Sequence, residues 1–141
     1  MAAYVKYELG IEKMMEAGNA GTDTWQLILS NTAPNVATHT TAASATELST
    51  SGGNTAGGVN CSITSAVSTS GVYKLILAAP ASPTWTASGG GFTFRYVILY
   101  NLSLTQCIGY WDYGSAVVMN GTNADTFTPT LDASGGTFTV S

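Results

Sequence analysis

The stretch WTASGGGFTFRYVILYN, Trp85 to Asn101, sets a triple glycine directly before an apolar, aromatic run, and its reading decides the fold. Side chains along a strand point alternately to its two faces. That alternation puts Phe92, Phe94, Tyr96, Ile98 and Tyr100 on one face, and Val97 and Leu99 with Arg95 on the other. Both faces are apolar, so the run predicts a central strand, buried on one face and set against a second layer or a partner on the other. Gly89-Gly90-Gly91 then supplies the positive-φ freedom and lack of bulk that a tight reversal before a buried strand requires. A phosphate cradle does not fit. The glycines lack the G-x-G-x-x-G spacing and precede a strand, where no helix N-terminus offers free N–H groups to an anion. Gly53 to Gly58 has the outline G-x-x-x-x-G, but Val59 stands where a P-loop requires Lys.

On either side of this strand the period of two recurs. Trp25 to Leu29, Val59 to Val67, Gly71 to Ala79, Gln106 to Tyr113, Ala116 to Met119, Asp125 to Leu131 and Thr137 to Val140 read as further strands. Turn signals part them at Ser70-Gly71, Pro80 to Pro83, Asn120-Gly121 and Ser134 to Gly136. The spacing predicts a single all-β domain, an antiparallel β-sandwich or jelly-roll-like barrel. Thr alternates with apolar residues in the last two segments, which marks half-exposed strands, and Pro129 belongs on an edge where no ladder N–H is needed.

Tyr4 to Ala17 breaks the pattern. Tyr4, Tyr7, Ile11 and Met14 recur at helical spacing, with Val5, Leu9 and Met15 widening the stripe and Gly18 as the stop, so one short N-terminal helix is predicted. Gly10 costs such a helix about 1 kcal/mol relative to Ala, which tertiary packing must offset. Glu8, Glu12 and Glu16 line one face, a solvated ridge or a patch for a basic surface. Val36 to Gly58 is a long polar segment of Thr, Ala, Ser and Gly, and a loop of that length in a compact domain is functional, mobile or an arm on a neighbour.

Charged residues are 9% of the 141, against about one quarter in soluble domains generally. Such a surface gives little repulsion against association and suits a component of an assembly. The net charge of -4, with Lys6, Lys13, Lys74 and Arg95 as the basic residues, speaks against nucleic acid and anionic membranes as partners. No apolar run approaches the roughly 20 residues that span a bilayer. The N-terminal residues predict no secretory signal, so the Asn-x-Ser/Thr triplets at Asn60, Asn101 and Asn120 read as chance.

Chemistry is sparse. Cys61 and Cys107 read as buried structural thiols, and with His39 they are too few for a metal site, so neither metal nor cofactor is expected. His39 is also the one histidine to serve as a base, and no Gly-x-Ser-x-Gly elbow occurs. Asp23, Glu47, Asp112, Asp125 and Asp132 are the carboxylates available for a paired site. The last three lie in turn-rich sequence, where Asp ordinarily bonds backbone N–H groups, and no enzyme is expected. Asp112, between Trp111 and Tyr113, also fits a sugar platform, and Trp85 fits either a core anchor or an interface hot spot.

An N-terminal helix is followed by DTWQLILSNTAPN (Asp23 to Asn35), TAGG (Thr55 to Gly58), WTASGGGFTFRYVILYN and IGYWDYG (Ile108 to Gly114). In this combination the chain resembles small virion structural proteins of tailed bacteriophages, of the capsid decoration or cement type, over most of its length apart from Val36 to Thr50. The resemblance implies an all-β module, made in the bacterial cytoplasm and carried on the capsid surface. Such a module binds the outer face of the major capsid protein, as a homo-oligomer with a trimer favoured. It brings no catalytic residues. The expected contact elements are the N-terminal segment (Tyr4, Tyr7, Glu8, Glu12, Glu16) and the Val36 to Gly58 loop. Phe94 and Tyr96 of the two-faced strand are expected in the core or a trimer seam, and Trp85, Trp111 and Asp112 at an interface. The alternative is a tail or head-fibre part whose Trp85, Trp111, Asp112 and Tyr113 hold a host-surface glycan.

Overall fold

A computed structural model describes residues 2–141. The chain is all-β with one short helix, as the periodicities predict. Its strands are β1 (Tyr4–Lys6), β2 (Trp25–Ser30), β3 (Val59–Thr69), β4 (Val72–Ala78), β5 (Trp85–Thr86), β6 (Phe92–Asn101), β7 (Gln106–Met119), β8 (Thr126–Phe127) and β9 (Phe138–Val140), with helix α1 at Glu8–Ala17. Seven of them form one antiparallel sheet in the order β1-β7-β6-β2-β3-β4-β9, curled into a half-barrel, while β5 and β8 pair separately.

β6 is central, as its two apolar faces demand, and pairs with β2 and β7. Each face fills a different cluster. The larger takes Phe94, Val97 and Leu99 from β6 and draws in residues from strands far apart in the sheet order, so it fills the inside of the curl. Trp25 of β2 and Phe138 of β9, for example, have ring centroids 6.5 Å apart. The smaller cluster takes Tyr96, Ile98 and Tyr100 on the outside, with Tyr7, Ile28 and Cys107. Phe94 therefore does not share a side with Tyr96, contrary to simple alternation. Between Phe94↔Val117 and Tyr96↔Asp112 the register advances two residues on β6 and five on β7 (96 − 94 against 117 − 112), and this bulge resets the faces. It lies at Gly114, where sequence places a break between two strands; β7 instead runs through it, with Gly114 at φ 79°.

The predicted helix starts too early. Tyr4 to Lys6 is a strand on β7, in register Tyr4↔Trp111, and the helix begins only at Glu8. A three-residue strand is too short to show a period of two, and Tyr4 and Tyr7 happen to stand at helical spacing. Gly10 is where the helix rests on the sheet, since an added Cβ would lie 2.3 Å from Cys107 O. Met14 then enters the inner cluster and Tyr7 the outer one.

Asp125 to Leu131 forms a ladder only at Thr126–Phe127, where Phe127 stacks on Trp85 at 5.8 Å. Pro129 lies beyond that strand and is buried, not on an exposed edge. Gly89-Gly90-Gly91 proves to be a meeting point of three loops. Gly91 N donates to Ser88 O and Ser88 N to Gly52 O, each at 2.8 Å. Hypothetical Cβ atoms at Gly52 and Gly91 would fall 1.9 Å from Gly91 O and 2.0 Å from Met119 O. The glycines let backbone pack on backbone.

Candidate interaction surface

The second face of β6 asks for cover, and the chain supplies it. The 36–58 segment, read from sequence as functional, mobile or an arm on a neighbour, lays its first part across the outside of β2, β6 and β7 and sends Leu48 to the inner cluster. Val36, Ala42 and Ala45 pack on Tyr96, Ile98 and Tyr100 with Tyr7. Backbone bonds pin it at Glu8 N→Val36 O (3.0 Å), Leu48 N→Leu29 O (2.8 Å) and Cys107 N→Thr40 O (2.5 Å). The Ser30 hydroxyl donates to Ala45 O at 2.7 Å. Small side chains let this irregular layer lie close to the sheet. Tyr96, expected above in the core or a trimer seam, is therefore packed within one chain, and so is Phe94, which is 0% exposed in the inner cluster.

The aromatic–acid platform also dissolves. Trp111 is 6% exposed and faces Tyr4 at 4.8 Å between ring centroids, so Tyr4 too is spent on packing. Gly109 makes room for that ring, since a Cβ there would lie 2.2 Å from the Tyr4 oxygen. Trp85 is 3% exposed and Tyr7 0%. Trp85, Trp111 and Tyr7 are buried, so none of them offers the open ring face that sugar stacking or a hot spot requires. Asp112 is half-exposed but engaged. It accepts from Arg95 Nε at 2.8 Å and Nη2 at 2.9 Å, and from Gly114 N at 2.7 Å. The Arg95 guanidinium in turn lies 5.1 Å from the Tyr96 ring centroid.

The other carboxylates are held by turns. Asp132 accepts from Gly135 N (2.7 Å) and Ser134 N (2.9 Å), Asp125 from Asn120 N (2.8 Å) and Glu47 from Gly57 N (2.8 Å). Asp23 takes Asn19 N at 2.9 Å and the amide of the fully buried Asn101 at 2.8 Å. Asn101 is thus a clamp inside the fold. Five of the eight acidic residues are spent in this way, and the remaining three are Glu8, Glu12 and Glu16. All three are exposed on α1 and accept no hydrogen bond among the described residues, so the uncommitted negative charge is gathered in one ridge.

Two of these turns carry a pH dependence. The Arg95 hydrogen bond, then the Gly114 N–H, hold the Asp112 carboxyl below its ordinary value of 3.8, and the Gly135 and Ser134 N–H groups do the same for Asp132. A depressed carboxyl contributes stability above its unfolded value and loses it as the pH falls through the folded one. Both groups are solvent-accessible, so screening keeps each effect small. The thermal midpoint is expected to drop as the pH falls below about 4, and an Asp112→Asn/Asp132→Asn double variant to drop less steeply. Parallel curves for the two proteins would refute it.

Cys61 and Cys107 are free thiols on opposite faces of the sheet, one against each cluster, and burial pushes both up to about 12. His39 Nδ1 accepts from Asn35 N at 3.3 Å within its own turn. Among the described residues no three His, Cys, Asp or Glu side chains gather as metal ligands, and no helix is long and apolar enough to cross a membrane.

Sequence reasoning missed the outside of the β3–β4 hairpin. The register places Ser65 with Ile76, Val67 with Lys74 and Thr69 with Val72 on the side away from the buried Leu75 and Leu77. The outer cluster does not extend over them, and Val67 is 53% exposed. The signal was present in the alternation of SITSAVST, Ser62 to Thr69. No family model, curated protein or solved structure matches the chain.

Proposed function

We propose that the chain is a structural protein of a tailed-bacteriophage virion, bound in many copies to the outer face of the major capsid protein and stabilising the head. The observation that carries this reading is how the charge is used. Only 9% of residues are charged, most of the carboxylates are tied into turns, and the three left over form one ridge on α1. Such a surface favours association and offers one electrostatic handle to a basic patch. Large apolar side chains also point outward, with Met15 66% and Val118 70% exposed. The resemblance in sequence motifs points the same way and adds a trimer at a symmetry axis as the favoured grouping.

An interface of about 1,000 Å² or more per copy suits such a role. Binding the assembled shell and not free subunits stabilises the shell by linkage, about 2.7 kcal/mol per site at a hundredfold excess over Kd. Particles carrying the protein are therefore expected to release DNA at a higher temperature than particles lacking it. Equal release temperatures would sink the stabilising role, and a monomeric mass by light scattering at working concentration would sink the trimer.

A further inference from the structure

We infer that the half-barrel has a strand-sized vacancy between β1 and β9, and that it takes up one extended peptide strand from a partner polypeptide. The first argument is topological. Six successive neighbour pairings run from β1 to β9, and each is antiparallel. An even number of reversals leaves β1 and β9 parallel to one another. The sheet therefore cannot close on itself in the antiparallel manner used everywhere else, whereas one more strand, antiparallel to both edges, makes a continuous eight-stranded barrel. Eight strands is also the size at which a barrel interior is just filled by side chains.

The second argument is the distance kept between the edges. No backbone ladder joins them, and the link is a side chain: Lys6 Nζ donates to Thr139 O at 2.9 Å and lies 5.6 Å from the Phe138 ring centroid. A lysine side chain with one hydrogen bond can span ~9.6 Å, the two ladder spacings that one intervening strand occupies. A cleft of about 270 Å³ opens beside this link, with Ala2, Tyr4 and Trp111 on one side and Asp132, Gly136 and Thr137, just before β9, on the other.

The third argument is which groups face the vacancy. Tyr7 N donates to Ile108 O, which assigns Val5 and Tyr7 to the β7 ladder and, by alternation, turns the N–H and C=O of Tyr4 and Lys6 outward. On β9 the Thr139 carbonyl faces the gap, since Lys6 reaches it, and the Thr139 N–H faces the same way. The two edges thus offer matched donors and acceptors to an extended backbone. Lys6 gives up Thr139 O as the strand enters. Short edge strands and a lysine also protect an edge from random pairing, and a removable strap serves that purpose until the right strand arrives. The occupant is recognised by backbone hydrogen bonds, with small or β-branched side chains directed at the Trp111 cleft.

The test uses the intact chain and a random decapeptide display library as the probe. Peptides with alternating β-branched residues are expected to be enriched. In hydrogen exchange by NMR a synthetic copy should protect the amides of Tyr4, Lys6 and Thr139. A strand held between two edges uses the N–H groups of both parities, so N-methylation at odd positions and at even positions should each weaken binding about tenfold or more. Sensitivity at one parity alone means addition to a single edge and overturns the insertion. So do enrichment of no peptide, protection elsewhere, or protection of the same amides on raising protein concentration without peptide, which assigns the edges to a second copy.

Discussion

Gly91→Val is expected to cost about 4 kcal/mol and to lower the thermal midpoint by roughly 15 °C, while Gly90→Ala, one residue earlier, leaves it within about 2 °C. Gly91 has φ 71°, a conformation that a β-branched residue rarely adopts, and its Cβ would sit 2.0 Å from Met119 O and 2.9 Å from Gly121 N. Both obstacles are backbone, and Gly121 is itself wedged, its own Cβ position lying 2.3 Å from Gly89 O. The strain and the overlap therefore add, because neither loop can retreat without pushing on the next. A Cβ on Gly90 would meet nothing within 4 Å, and this residue has no positive φ. Equal midpoints for the two variants in scanning calorimetry would show that the three-loop contact contributes little.

Gly10→Ala is expected to destabilise the protein by about 2 kcal/mol even though it stabilises the isolated helix by about 1. The new methyl would lie 2.3 Å from Cys107 O and 2.9 Å from Ile108 Cα, so α1 must lift from β7. Lifting exposes Tyr7 and Met14, which are 0% and 7% exposed, and burial of such side chains is worth about 1.5–3 kcal/mol each. Packing loss exceeds the gain in propensity. Circular dichroism of a peptide spanning residues 8–17 should show more helix with Ala, while urea unfolding of the whole chain shows less stability. A more stable Gly10→Ala chain would mean that the helix does not bear on the sheet. Met15→Ala, at a side chain 66% exposed, serves as the neutral comparison.

How much of this was legible depends on how far each signal extends along the chain. Phe92–Asn101 is long, apolar on both faces and bounded by glycine and a turn, and both of its ends are where the residues place them. The layer over its second face was not legible as cover, because its packing residues are as small as Ala42 and Ala45 and carry no periodicity. The Trp111-Asp112-Tyr113 cluster was visible as a cluster, but the burial of its Trp111 was not. What hides Trp111 is Tyr4, more than a hundred residues away in sequence, and what engages Asp112 is Arg95 on the neighbouring strand. Gly10, read from sequence as a cost that tertiary packing must offset, held a further clue. A glycine that a helix has no local reason to keep marks a close approach, here to β7.

The pairing of β1 with β7 has a consequence in time. Tyr4 meets Trp111 across 107 positions (111 − 4), so β1 has no ladder until β7, more than a hundred residues further along, has been made. A fold built on such distant pairings closes slowly, and the unpaired β1 segment stays open to other chains meanwhile. Fast synthesis in many copies would make that interval the point at which yield is lost, so growth temperature and chaperone supply, rather than the stability of the finished barrel, would set how much protein is recovered.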